Sequence, residues 1–293
     1  MFLSIVLKNK ENRMRLFKYS LPGCLLFCLL LSSLVSCDLL PTVSFKSTPT
    51  TSAITGAAST SGTPQLNTWY SDGRGVEVRY EDWKSPGNNE DTVTIVRFDL
   101  RYIKLSVAYQ PDHPLLASEW MQQEHVTAII NGGYFDDHNN ATALVVANGQ
   151  AFGTSYDGFG GMLSVDGQGQ ISLRPLQKQP YDPNNEQLQQ ATQSSPMLVV
   201  GGNATQFNAN AAGSRRSVVA MDRQGRLLLI ASPSLAFSLG ELEDLLVASD
   251  LSIDRALNLD GGASTGLYVN AGNQHVAIDS VAKLPIVVII REK

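Results

Sequence analysis

Two stretches of this chain are built alike: an apolar run, a polar residue, then Gly-Gly. One is Ala256-Leu257-Asn258-Leu259-Asp260-Gly261-Gly262-Ala263-Ser264, the other Thr127-Ala128-Ile129-Ile130-Asn131-Gly132-Gly133-Tyr134-Phe135-Asp136. Side chains alternate along a strand, so Leu257 and Leu259 are expected to face a core, with Asn258 and Asp260 on the opposite face. Gly-Gly turns the main chain sharply and lets its N–H groups approach a ligand. Two strand ends of this kind make two sides of one pocket, although a single Asp-Gly-Gly would be an ordinary turn.

The amino terminus reads as an export signal. Lys8, Lys10, Arg13, Arg15 and Lys18 form a basic start, Met14 offers an alternative initiator, and Leu21 to Val35 is almost wholly apolar. That run is short for a membrane span and suits a signal-peptide core. Leu34-Val35-Ser36-Cys37 resembles a bacterial lipobox, so residues 1–36 are expected to be removed and Cys37 acylated. The other two cysteines, Cys24 and Cys28, lie within the signal, which leaves no disulfide framework, cysteine metal site or thiol nucleophile in the mature chain. The predicted location is extracytoplasmic, lipid-anchored to the bacterial cell membrane.

Residues 1–36 carry five basic residues and one acid, so their loss takes the net charge from −5 to −9. Such a surface does not bind nucleic acid non-specifically, and an anionic substrate would need local cations or backbone amides. Residues 37–66 are rich in Ser, Thr, Pro and Gly and read as a flexible tether. Residues 67–293 are expected to form one domain.

Within that domain, alternating and β-rich runs predict strands at Val76–Tyr80, Thr92–Phe98, Ile103–Tyr109, Leu144–Ala147, Gly160–Val165, Ile171–Leu173, Pro196–Val200, Ser217–Met221, Leu227–Ala231, Leu267–Val269 and Leu284–Ile290. Pro114 to His125 reads as a helix with Ser118 near its start. Residues 177–194, rich in Gln, Asn and Pro, read as a surface loop. Ser238 and Glu241 form a capping box ahead of the apolar face Leu239, Leu242, Leu245 and Leu246. The expected fold is α+β, a mixed, largely antiparallel sheet with a few packed helices.

Gly262-Ala263-Ser264-Thr265-Gly266 fits the G-x-S-x-G pattern of serine hydrolases. The following Leu267-Tyr268-Val269 reads as a strand where that motif needs a helix, and only His275 and Asp279 follow, in the wrong order. The four histidines form no H-E-x-x-H, so no metal site or cofactor is expected; a structural calcium near Asp136-Asp137 is the one cation the residues allow. What is left is carboxylate chemistry by Asp260, with Asn258 and Asn131, and an anion cradle that includes Arg215 and Arg216.

Asn131-Gly132-Gly133-Tyr134-Phe135, Arg216-Ser217-Val218-Val219 and Asn258-Leu259-Asp260-Gly261-Gly262 together resemble the phosphodiester glycosidases. Pro196-Met197-Leu198-Val199 and the capped helix from Leu239 fall where that family has equivalents, and the resemblance spans about residues 75–291. It implies hydrolysis of a sugar 1-phosphodiester of the N-acetylglucosamine type, in envelope or exopolysaccharide glycan metabolism. The same pocket on a non-catalytic lipoprotein would bind glycan or phosphoglycan instead. The resemblance implies Asp260, Asn131 and Arg216 as catalytic residues. Gly132, Gly133, Tyr134, Phe135, Ser217, Asn258, Gly261, Gly262 and Ser264 would bind substrate, with Asp136 or Asp157 as candidate second carboxylate. Three positions depart from the family pattern: Ala263 replaces a third glycine, Ala220 replaces the glycine after Arg-Thr, and Ala231-Ser232-Pro233 lacks the usual Asp-Gly.

Overall fold

The computed structural model describes residues 64–206 and 212–293. The signal peptide, Cys37 and nearly all of the tether lie outside the described residues.

The first four strands are β1 (Tyr70–Ser71), β2 (Val76–Lys84), β3 (Glu90–Phe98) and β4 (Ile103–Tyr109). Helix α1 (Ala117–Glu124) leads into β5 (Ala128–Asn131), followed by the short pair β6 (Val145–Ala147) and β7 (Gln150–Phe152). Then come β8 (Gly161–Asp166), β9 (Ile171–Pro175), β10 (Leu188–Ser194), β11 (Met197–Val200) and β12 (Asn203–Ala204). The last third holds β13 (Ser214–Asp222), β14 (Leu227–Phe237), helix α2 (Leu239–Ala248), β15 (Ile253–Asn258), a 3₁₀ turn (Gly262–Ser264), β16 (Leu267–Ala271), β17 (Gln274–Ile278) and β18 (Ile286–Glu292).

These strands make three sheets. The largest runs β1-β2-β3-β14-β13-β15-β11-β12; the others run β7-β6-β10-β8-β9 and β17-β16-β5-β18-β4. The central pairings are antiparallel, for example Val218 opposite Asn258 and Val287 opposite Asn131. The architecture is the α+β class read from the sequence, with sheet dominant.

The principal core takes one face of every sheet: Val96, Val219 and Leu257 from the largest, Leu163 and Leu173 from the second, Ile130 and Val288 from the third. Helix α2 covers the other face of the largest sheet, setting Leu242 and Leu246 against Val218, Ala220 and Ile230. Its capping box forms as the residues dictate: the Ser238 N–H donates to Glu241 at 3.0 Å and the Glu241 N–H donates to the Ser238 hydroxyl at 3.2 Å. Such a cap contributes about 1 kcal/mol. Helix α1 lays Trp120 over Ile129, Val287 and Ile289 on the outer face of the third sheet.

Two expectations are corrected. Helix α1 spans Ala117–Glu124, starting later than Pro114, and its amino end is met from outside: the carboxylate of Asp279, 161 residues away in sequence, accepts from the Ser118 N–H at 3.0 Å and from its hydroxyl at 2.7 Å. Residues 188–194 are not surface loop but β10, which lies between β6 and β8 with Ala191, Thr192, Gln193 and Ser194 buried. Polar side chains survive burial when their hydrogen bonds are met. Gln190 accepts from the Val107 N–H at 2.9 Å, and Gln193 accepts from the Tyr156 N–H at 2.8 Å and donates to the Ser155 hydroxyl at 2.7 Å.

Candidate active site

The two strand ends meet although their strands belong to different sheets. The Asp260 N–H, two residues beyond β15, donates to the Gly132 carbonyl at 3.1 Å. From the end of β5, the Asn131 Nδ2 donates to the Asp260 carbonyl at 2.6 Å. The Asn131 Oδ1 accepts from the Ser217 hydroxyl at 2.7 Å and from the Gly266 N–H at 3.2 Å. Asn131 is 1% exposed, so its amide grips β13, the turn after β15 and its own strand end at once. Its bonds hold Asp260 in place from behind, and Ser217, fully buried, belongs to the same clamp.

Gly132 and Gly133 are glycines because of close approach. A Cβ on Gly132 would stand 2.4 Å from the Ile286 Cγ2, and one on Gly133 2.0 Å from the Gln193 carbonyl oxygen. Their N–H groups are taken inside the protein, by the Ile286 carbonyl at 2.9 Å and the Thr192 hydroxyl at 3.2 Å.

The wall beyond them is Tyr134. Its hydroxyl donates to the Ser195 carbonyl at 2.8 Å, ahead of a cis Ser195–Pro196 bond. The Asn258 Nδ2 donates to the Tyr134 oxygen at 2.9 Å and to the Ser195 carbonyl at 3.0 Å. That leaves the buried Asn258 Oδ1 as an acceptor without a hydrogen-bond partner among the described residues. Burial, with the nearby Asp260 and Tyr156 adding to it, pushes the Tyr134 phenol up to about 12, so it stays a donor at neutral pH. Phe135 turns away and packs on the principal core.

Asp260 is half-buried, and burial holds its carboxyl above the usual carboxylate range. The Ser264 hydroxyl and the Gly261 N–H, the latter at 2.9 Å, oppose that shift by donating to the carboxylate. The 3₁₀ turn after Gly261 is followed by strand β16 and not by a helix, so Ser264, 5% exposed, has no nucleophile-elbow geometry. Ala263 is exposed, which explains how this turn tolerates a Cβ there.

Arg216 stands on the neighbouring strand, two residues before Val218 as Asp260 is two residues after Asn258, the antiparallel partner of Val218. Its Nη1 comes within 4.0 Å of where a Gly261 Cβ would be. Its Nε donates to the Phe237 carbonyl at 2.9 Å, and among the described residues no carboxylate forms an ion pair with it. Burial lowers the affinity of this guanidinium for its proton, yet arginine keeps its charge. Arg215 is held by the Pro233 carbonyl at 3.0 Å and the Asp279 carbonyl at 2.8 Å.

Both arginines therefore hang on carbonyls at the two ends of a bulge in β14, where the register jumps from Arg216–Ser232 to Ser214–Phe237. Asp91 on β3 pins this bulge. Its carboxylate accepts from the Ser232 hydroxyl, from the Ser234 N–H at 3.0 Å and from the Ser234 hydroxyl at 2.7 Å. No local pattern around Asp91 announces this role, which depends on a strand far along the chain. The Ser195 carbonyl and Tyr156 were likewise not singled out in the sequence.

The structure thus brings together Asn131, Gly132, Gly133, Tyr134, Ser217, Asn258, Asp260, Gly261, Ser264 and Arg216, with Gly262 opening the turn. Asp136 is exposed and folds its own turn, accepting from the His138 and Asn140 N–H groups at 2.9 and 2.8 Å. Asp157 is exposed on the segment before β8. No cluster of three or more His, Cys, Asp or Glu suited to a metal ion occurs among the described residues.

A buried clamp, a half-buried carboxylate and a guanidinium with no ion-paired carboxylate among the described residues lie together at one sheet end. Residues 124–290 match the sequence profile of the phosphodiester glycosidases, and the chain belongs to that family. No curated protein matches the sequence as a relative. Among solved structures, the fold is similar to the catalytic domain of zebrafish N-acetylglucosamine-1-phosphodiester alpha-N-acetylglucosaminidase, auto-inhibited by its pro-peptide. The TM-score is 0.60 at 18% identity, covering 74% of this chain and 83% of that one. It is also similar to a hypothetical protein from Synechocystis, with a TM-score of 0.52 at 17% identity, covering 75% of this chain and 62% of that one.

Proposed function

We propose that this protein hydrolyses a sugar 1-phosphodiester of the N-acetylglucosamine type, in envelope or exopolysaccharide glycan metabolism. The observation that carries this reading is Arg216: a half-buried guanidinium with no carboxylate ion-paired to it among the described residues, beside the half-buried Asp260. A charge withdrawn from water calls for a counter-charge, and a phosphodiester supplies one.

In this reading the bond between the anomeric carbon and the phosphate oxygen breaks through an oxocarbenium-like state, and the phosphate monoester leaves with the bonding pair. Arg216 meets the charge that develops on phosphate. Asp260 acts ionised at the anomeric centre, either removing a proton from the attacking water or adding to the carbon and being displaced by water. Water's hydroxyl ends on the sugar and its second proton neutralises the released acid. Tyr134 walls the ring, and the buried Asn258 holds the Tyr134 hydroxyl from behind. Asn131 and Ser217 position Asp260 without touching substrate. The residues call on no cofactor. The domain works outside the cytoplasm, tethered through an acylated Cys37.

A binding-only role is the second reading, favoured by Ser232, which stands buried against Asp91 where the family pattern has an acidic residue. The purified full chain, given an alkyl α-N-acetylglucosaminyl phosphodiester, should release N-acetylglucosamine and the alkyl phosphate. Saturable binding without release would select the second reading, and neither binding nor release would overturn both.

A further inference from the structure

Between β17 and β18, residues 279–282 join the amino end of α1 to the turn that follows Asp260. Leu116, the residue before the helix, has no side-chain oxygen, so the first N–H groups of α1 need acceptors from elsewhere. Asp279 and Ser280 supply them. The Ser280 hydroxyl accepts from the Ala117 N–H at 3.1 Å, and the Asp279 carboxylate accepts from the Ser118 N–H and hydroxyl. The Ser280 N–H, donating at 3.0 Å, ties the same carboxylate to its own backbone. The backbone fastened in this way reaches the site. The Asp279 carbonyl accepts from the Arg215 Nη2 at 2.8 Å, and the Val281 and Ala282 N–H groups both donate to the Ala263 carbonyl, at 2.8 and 2.9 Å. Ala263 lies in the 3₁₀ turn whose Ser264 donates to Asp260. Packing is tight at this meeting point: a Cβ on Gly266 would stand 2.7 Å from the Ala117 Cβ and 3.3 Å from the Ser280 Cβ.

We propose that Asp279 is a positioning residue for this site. By clamping residues 279–282 to α1 it fixes the guanidinium of Arg215 and the turn that bears Ser264, without touching substrate. The role rests on the phosphodiester reading, in which Arg215 stands in the anion cradle beside Arg216. Arg215 spends its Nε on the Pro233 carbonyl and its Nη2 on the Asp279 carbonyl. Neither acceptor carries a formal charge, so the guanidinium is oriented while its charge stays available to an anion. The two carbonyls come from unrelated segments, one in the β14 bulge and one after β17. A slack 279–282 segment would therefore leave the arginine held on one side only. What α1 asks of residue 279 is an acceptor oxygen rather than a charge, and asparagine caps a helix as well as aspartate does.

The test uses the full chain with Asp279→Ala and Asp279→Asn. On an alkyl α-N-acetylglucosaminyl phosphodiester, Asp279→Ala should lower kcat/KM about tenfold, mostly through KM, and Asp279→Asn should restore it. In an Arg215→Ala background the same Asp279→Ala change should have little further effect, because one residue acts through the other. An equal factor in both backgrounds, or a loss that Asp279→Asn shares in full, would overturn the assignment. Amide hydrogen exchange, followed residue by residue by NMR, needs no substrate. In Asp279→Ala the Val281 and Ala282 amides should exchange about tenfold faster, while the paired core residues Val219 and Leu229 keep the parent rates. Faster exchange everywhere, or nowhere, would overturn the assignment. If the parent chain turns over no phosphodiester, the activity reading fails by itself and exchange decides: acceleration confined to Val281 and Ala282 supports Asp279 as the clamp on this segment, and its absence overturns it.

Discussion

The side-chain amide of Asn131 donates to the backbone carbonyl of Asp260 at 2.6 Å, across the junction of two sheets. This bond, with those from Ser217 and Gly266 to the other end of the same amide, makes the placement of one carboxylate depend on a residue 129 positions earlier. It also separates two effects that mutation can read independently.

Asp260→Asn keeps the shape of the side chain and removes its charge. It should lower kcat for a sugar phosphodiester by about two orders of magnitude or more. Thermal unfolding should move little, because the Gly261 and Ser264 donors still find an oxygen. Near-normal turnover by a folded variant would place the chemistry elsewhere.

Asn131→Ala strands the Ser217 hydroxyl, the Gly266 N–H and the Asp260 carbonyl in a buried place. Unsatisfied groups of this kind cost about 1–3 kcal/mol. Both stability and rate should fall, whereas Asp260→Asn should affect the rate alone. Denaturant titration of the two variants beside their kinetics would show the contrast, and an Asn131→Ala protein as stable as the parent would rule out the clamp.

The pH dependence follows from the raised pKa of Asp260. As base or nucleophile the group works ionised, so kcat/KM should rise with pH through a value above the ordinary carboxylate range and then level off. Donation from Ser264 lowers that pKa, so Ser264→Ala should move the rising limb to higher pH. A limb that moves to lower pH, or does not move, would detach the profile from Asp260. Ser264 should also resist a fluorophosphonate probe.

Asp91→Ala should loosen the β14 bulge that carries the carbonyl partners of Arg215 and Arg216. The expected signature is a rise in KM for the phosphodiester by about tenfold with a smaller change in kcat, the loss of charge-assisted bonds that fix an anion-holding arginine. Inorganic phosphate should weaken as an inhibitor in parallel. A pure fall in stability, with both constants intact, would make Asp91 a folding residue only.

Cys37→Ser should abolish acylation and move the protein from the detergent phase to the aqueous phase. An unchanged partition, with the mature chain starting elsewhere, would remove the lipid anchor from the proposal.

Much of this arrangement could be read from the residues, for reasons that are local. The alternation at Leu257, Asn258 and Leu259 and the Ser238–Glu241 box depend on neighbours in sequence, and they appear as written. The two Gly-Gly strand ends could be paired because both repeat one pattern. What escaped depends on distance. β10 resembled a loop because its buried glutamines are satisfied by residues from other strands. Asp279 capping α1 and Asp91 pinning β14 have no signature in their own segments. The Gly132 and Gly133 amides, which the motif suggested for the anion, are consumed by Ile286 and Thr192, partners that only the tertiary structure brings near.

The junction of sheets also divides labour. Arg216 and Asp260 are carried by β13 and the segment after β15, in the largest sheet, while Tyr134 follows β5 of another. The stretch that follows β5 can therefore drift while the elements carrying Arg216 and Asp260 stay as they are. Asn131 is the rivet that such drift has to spare.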